Sequence, residues 1–247
     1  MTRGLGLAAA WAVHAYTASG AVLAMLAAVA VLDRDYRLAF AWLALQVVVD
    51  ATDGWLARAV DVHRRLPHFS GAHLDDIVDY LTYVFVPALM VWHAPLVPEA
   101  WRLAAPAAML LASACGFSRA DAKTADHYFT GWPSYWNVLV LYLMMWRTTP
   151  AFNAVVIVSH AALVLAPLRY VYPSRTPVLM PLTVALGVTW GGALLAALWW
   201  WDAVPGWARW YSLVFPAYYY GLSGWLAWTR QSGPSAAKAP APGAKRP

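Results

Sequence analysis

From Gly4 to Leu32 the chain runs 29 residues without a formal charge. That is too long for the core of a signal peptide, and it reads as a retained membrane helix. The rest of the chain repeats the pattern. Of its 247 residues, 62% are hydrophobic, 12% are charged and 16 are Trp, a balance foreign to a water-soluble domain of this size. The expected fold is all-α, a polytopic integral membrane bundle of about eight transmembrane helices. The expected spans are 7–32, 37–60, 71–95, 102–120, 132–147, 151–169, 176–200 and 208–229. They form a single membrane domain over 1–230, followed by a tail, 231–247, rich in Ala, Pro, Gly and Lys and expected to be disordered and cytoplasmic. Pro87 and Pro106 fall inside spans and are expected to kink them.

Acids interrupt this hydrocarbon at one place. Asp50 and Asp53 lie three apart and share a helix face, with Gly54, Ala57 and Arg58 on or beside it. Gly71, Asp75 and Asp79 follow at four-residue intervals and form a stripe on the next helix, with Asp76 beside that stripe. If the two faces meet, Asp50, Asp53, Asp75 and Asp79 converge. Acids inside a membrane are costly and mark function. Four carboxylates at close range need cations, and hard divalent ions such as Mg²⁺ or Mn²⁺ suit oxygen ligands and a phosphate substrate. The small residues leave room for a ligand to lie against the backbone, although Gly71 alone is equally well read as a helix-packing contact.

The set Asp50, Asp53, Gly54, Ala57, Arg58, Gly71, Asp75 and Asp79 resembles the motif of the CDP-alcohol phosphotransferases, integral membrane enzymes of phospholipid synthesis. The spacer between Arg58 and Gly71, Ala59 to Ser70, has twelve residues where that family usually has eight. In this it is similar to the bacterial phosphatidylcholine synthase branch. The segment Gly131-Trp132-Pro133-Ser134-Tyr135-Trp136-Asn137 and the later Arg169-Tyr170-Val171-Tyr172-Pro173-Ser174-Arg175 also resemble that branch.

The resemblance implies transfer of the phosphatidyl group from CDP-diacylglycerol to choline, with release of CMP. It implies two Mn²⁺ or Mg²⁺ ions held by Asp50, Asp53, Asp75 and Asp79, with Asp79 as general base. Asp53, Gly54, Ala57, Arg58, Gly71 and Asp75 would bind the nucleotide. It also implies a homodimer in the bacterial inner membrane. Arg119, Lys123 and Arg175 are candidates for the pyrophosphate or lipid headgroups, though cytoplasmic topology alone explains them. Tyr135, Trp136, Tyr170 and Tyr172 are candidates for choline, whose methylated nitrogen is met by aromatic faces. An interfacial aromatic belt explains the same residues.

Twelve Lys and Arg on the side of the termini, against five on the other, put the N-terminus, the acids and the tail in the cytoplasm. The spacer reads equally as a short amphipathic segment on the membrane or as a basic loop. His14 and His160 read as packing or interhelical hydrogen bonds. The lone Cys115 excludes a disulfide framework. The net charge of +5 fits anionic lipid and not nucleic acid. Competing functions are another acceptor alcohol, such as serine, glycerol phosphate or inositol phosphate, a cation or proton transporter, and an inactive scaffold. A transporter leaves Gly54, Ala57, Arg58 and Gly71 without a purpose, and a scaffold would not keep every motif acid.

Overall fold

The computed structural model describes residues 2–173 and 175–231. Ser174 and the tail from 232 onward, including Lys238, Lys245 and Arg246, lie outside the described residues. The chain is a helical membrane bundle. In chain order it comprises α1 (Thr2–Leu32), α2 (Tyr36–Ala59), α3 (Val62–Arg65), α4 (Gly71–Asp79), α5 (Val86–His93), α6 (Ala104–Phe117), β1 (Tyr128–Thr130), α7 (Trp136–Met145), α8 (Pro150–Leu165), β2 (Arg169–Val171), α9 (Met180–Trp199), α10 (Gly206–Tyr211) and α11 (Val214–Gln231). Among the described residues, three helices are long and apolar enough to cross a membrane by length and composition: Gly6–Leu32, Glu99–Phe117 and Met180–Trp199. Large apolar side chains such as Met25, Leu111, Val155, Val188 and Leu195 stand exposed on the bundle's surface, as suits a face turned to lipid.

The eight expected segments each contain a helical rod, with corrections at their ends. The segment 132–147 becomes helical only at Trp136, because Gly131 takes φ +84° and Ser134 φ +56°, which no helix accommodates. A Cβ on Gly131 would lie 2.1 Å from the Val164 carbonyl oxygen, so only glycine passes there. The segment 151–169 stops at Leu165, and its last residue begins β2. The segment 176–200 starts at Met180, after Leu179 in the left-handed region. The segment 208–229 is broken into α10 and α11.

Pro106 lies in the first turn of α6, where no intrahelical N–H is required. Pro87 follows a π-helical turn, Tyr80–Phe85, in which the Val86 N–H reaches back five residues to the Leu81 carbonyl. The wide turn absorbs the missing donor of Pro87.

No strand was expected, yet β1 and β2 pair antiparallel, with Tyr128 opposite Val171, Phe129 opposite Tyr170 and Thr130 opposite Arg169. This ribbon ties the loop after α6 to the loop before α9. Ser223 of α11 accepts the Val171 N–H at 3.1 Å, so the last helix is anchored to the same ribbon. The larger of two apolar clusters among the described residues runs through the bundle and includes Phe40, Leu43, Met90, Met109, Trp136 and Ile157.

The spacer is neither free in solvent nor laid on lipid alone. Val62 of α3 is buried against Ala10 and Val13 of α1, His63 and Arg64 are exposed, and the guanidinium of Arg65 lies against Gly6 of α1. Ser70 then caps α4 by accepting the His73 N–H at 3.2 Å, which starts the second acidic helix in register.

Candidate functional site

Asp50 of α2 and Asp75 and Asp79 of α4 each offer a carboxylate oxygen, and these three atoms lie within 4.8 Å of one another. Two parallel causes bring them together. The i, i+4 spacing puts Asp75 and Asp79 on one face of α4, and α1 packs against both α2 and α4 and draws the two helices together. At Gly20 α1 lies tight against both, since a Cβ there would lie 2.3 Å from the Gln46 Oε1 and 2.5 Å from Val78 Cγ1. Asp50 Oδ2 accepts a hydrogen bond from the Tyr83 hydroxyl at 2.8 Å. Asp79 Oδ1 is buried with no hydrogen-bond partner among the described residues. An all-oxygen donor set with a buried orphan oxygen fits a hard divalent cation, so these acids are able to hold a metal.

Asp53, expected beside them, is not in the group of three. Its Oδ2 accepts from Thr17 Oγ1 of α1 at 2.8 Å, and the residue is buried. The adjacent Thr52 pairs with Tyr16 at 2.8 Å. The i, i+3 step places Asp53 towards α1, whereas Asp50 faces α4.

Gly54 is open apart from Arg58, whose guanidinium would sit 3.4 Å from an added Cβ. Arg58 makes no ion pair among the described residues and is available for a phosphate. Ala57 sits partly buried on the side of α2 that packs near α3. Gly71 differs from Gly54: a Cβ there would meet His14 Cε1 at 3.0 Å. Its smallness admits the imidazole of His14, which also lies against Phe69 with centroids 4.3 Å apart. The packing reading of His14 therefore holds. His160 makes the expected interhelical bond, its Nε2 to the Tyr220 hydroxyl at 3.0 Å.

Of the three candidate cations, the structure brings only Lys123 to the acids. Its ammonium is 3.4 Å from Asp76 Oδ1. Burial works against the charged form of Lys123, but Asp76 and then Tyr172, Asp75 and Asp79 outweigh it and raise its pKa above the ordinary lysine value. Arg119 instead grips Asp121 through two bonds, of 3.0 and 3.1 Å, holding that exposed carboxyl below its usual range. Arg175 lies over the ring of Tyr172 at 5.5 Å.

The four candidate aromatics also divide. Trp136 is fully buried, and its indole N–H donates to Ser113 at 2.8 Å, so it belongs to the core and presents no face to the site. Tyr172 stacks on Phe129 at 4.4 Å. Tyr170 is buried and stacked on Tyr219. Tyr135 is half-buried, with its ring 6.1 Å from that of Tyr83.

Sequence reasoning passed over Tyr83, Asp76 and Thr17. Tyr83 continues the stripe of Gly71, Asp75 and Asp79 by four more residues, a signal present in the spacing. Asp76 lay beside that stripe and shows its purpose only through Lys123. Thr17 carries no local signal, because its partner is 36 residues away.

No family model matches the chain. It is similar to proteins named phosphatidylcholine synthase. The one from Pseudomonas aeruginosa is 40% identical over 183 residues, covering 74% of this chain and 77% of that protein. The one from Rhizobium johnstonii is 33% identical over 85% of this chain and 87% of its own length. The one from Borreliella burgdorferi is 31% identical over 75% and 80%.

Proposed function

The chain belongs to the phosphatidylcholine synthase family, and we infer that it transfers the phosphatidyl group of CDP-diacylglycerol to the hydroxyl of choline, releasing CMP. The observation that carries the chemistry is the convergence of Asp50, Asp75 and Asp79 around the unpartnered Oδ1 of Asp79.

In this reading Asp50, Asp75 and Asp79 would hold divalent cations, Mn²⁺ or Mg²⁺ and two in number, with Asp53 as a fourth ligand. Such ions, when bound, neutralise the pyrophosphate and the charge that develops on the departing CMP. Asp53, Gly54, Ala57, Arg58 and Asp75 line the nucleotide, Arg58 facing its phosphates. Gly71 supports that site indirectly, by seating His14. Asp79 accepts the proton of the choline hydroxyl. The oxygen then forms a bond to the phosphorus that carries diacylglycerol, and the bond from that phosphorus to the CMP oxygen breaks.

Lys123 lies on the acidic rim, placed for a phosphate oxygen. A phosphorylated acceptor would need several free cations there, and Arg119 and Arg175 are engaged elsewhere. That favours choline over glycerol phosphate or inositol phosphate.

The excess of Lys and Arg on the side of Arg64 and Lys123 supports a bacterial inner-membrane protein with the acids facing the cytoplasm. The resemblance of the acidic motif to the CDP-alcohol phosphotransferases supports a homodimer. The test is to give the purified protein CDP-diacylglycerol, Mn²⁺ and a panel of labelled alcohols. Labelled phosphatidylcholine from choline alone is the expected result, and lipidation of another alcohol in its place refutes the acceptor.

A further inference from the structure

A line of tyrosine rings leads from the acids to the last helix. Tyr83, whose hydroxyl donates to Asp50, lies 6.1 Å from Tyr135 by ring centroids. Tyr135 lies 6.3 Å from Tyr219 of α11, at an interplanar angle of 63°. Tyr219 stacks on Tyr170 of β2 at 6.2 Å and 16°. The rings come from four separate segments: the π turn, the loop before α7, β2 and α11. Tyr83 and Tyr135 are partly buried, Tyr83 bonded to Asp50 and Tyr135 within reach of the charges of Asp50 and Asp79, while Tyr170 and Tyr219 are buried.

The Tyr219 hydroxyl is buried with no hydrogen-bond partner among the described residues, so this residue meets Tyr135 and Tyr170 through its ring. Electron-rich phenol faces beside several carboxylates make a site for a cation that has no N–H to donate. In choline two carbons separate the ammonium from the hydroxyl. An ammonium held beside Tyr83 and Asp50 therefore keeps the hydroxyl within the acidic cluster.

We propose that Tyr83 and Tyr135 are the walls that receive the quaternary ammonium of the acceptor, and that Tyr219 is a positioning residue that sets the ring of Tyr135. The inference rests on the choline reading above. It also gives the last helix a purpose: α11 sets acceptor selectivity through Tyr219, and Ser223 on the same helix fixes it to the ribbon that carries Tyr170.

The test compares choline with its neutral tert-butyl analogue, which has the same shape and no charge. The purified enzyme in lipid vesicles is assayed for the choline KM, for inhibition by the analogue, and for the CDP-diacylglycerol KM. In Tyr135→Leu and Tyr219→Leu the choline KM should rise roughly twofold to thirtyfold, the range of one cation–π contact. Inhibition by the neutral analogue and the CDP-diacylglycerol KM should hardly move. Tyr135→Phe and Tyr219→Phe should keep most of the preference for the cation. Should Tyr219→Leu not fold, Tyr135→Leu, at a less buried position, and Tyr219→Phe decide the matter. Equal losses for choline and analogue would mean packing alone and overturn the proposal. So would an unchanged choline KM in both Leu variants. A wild-type enzyme that lipidates an alcohol other than choline would instead refute the functional reading on which the proposal rests.

Discussion

Thr17 Oγ1 donates to Asp53 Oδ2 at 2.8 Å, tying the second acid of the motif to α1 and leaving Asp50, Asp75 and Asp79 as the group of three. The bond aims the carboxylate of Asp53 and satisfies one of its oxygens inside the bundle. Thr17→Val keeps the shape and removes the donor. A buried hydrogen bond to a carboxylate is worth about 1.5–3 kcal/mol, and thermal unfolding in detergent should show a loss of that order. More Mn²⁺ should then be needed for half-maximal rate. Unchanged stability and metal demand together would show that Asp53 does not depend on α1.

Chelation is the direct test of the acids. EDTA should abolish turnover, and added Mn²⁺ or Mg²⁺ should restore it. Full activity in chelator would remove the metal site.

Asp79→Asn separates proton transfer from metal binding. If Asp79 is the base as well as a ligand, turnover at saturating Mn²⁺ should still fall by about two to four orders of magnitude, and further Mn²⁺ should not restore it. Recovery at high Mn²⁺ would make Asp79 a ligand and not the base.

Gly71 tests packing against ligand contact. A Cβ at this position would lie 3.0 Å from His14 Cε1, so Gly71→Ala should displace the imidazole and lower activity several-fold. The double variant His14→Ala, Gly71→Ala should regain much of the loss. Failure of that rescue would return Gly71 to direct contact with the nucleotide.

Topology is checked by cysteine labelling in a Cys115→Ala background. Labels at positions 35 and 64 should react from opposite sides of the membrane. Reaction from one side would break the orientation on which a cytoplasmic active site rests.

What the chain determined by itself is local. Uninterrupted apolar runs leave a helix in lipid as the form that satisfies every backbone group. The spacings 50–53 and 71–75–79 place acids on helix faces whatever surrounds them, because a helix turns by a fixed angle per residue. Tertiary structure decided what each face meets. Asp50 and Asp53 sit three apart, yet one meets α4 and the other α1. Trp136 and Tyr135 are neighbours, yet one is in the core bonded to Ser113 and the other borders the acids. Lys123 and Arg119 share one loop, but only Lys123 reaches across 47 residues of sequence to Asp76. The ribbon of β1 and β2 went unread because three-residue strands carry no period of their own and pair only when distant loops are brought side by side. These outcomes depend on helix crossings, which are set by where small residues such as Gly20 let backbones approach, and a single chain's spacing does not carry that information.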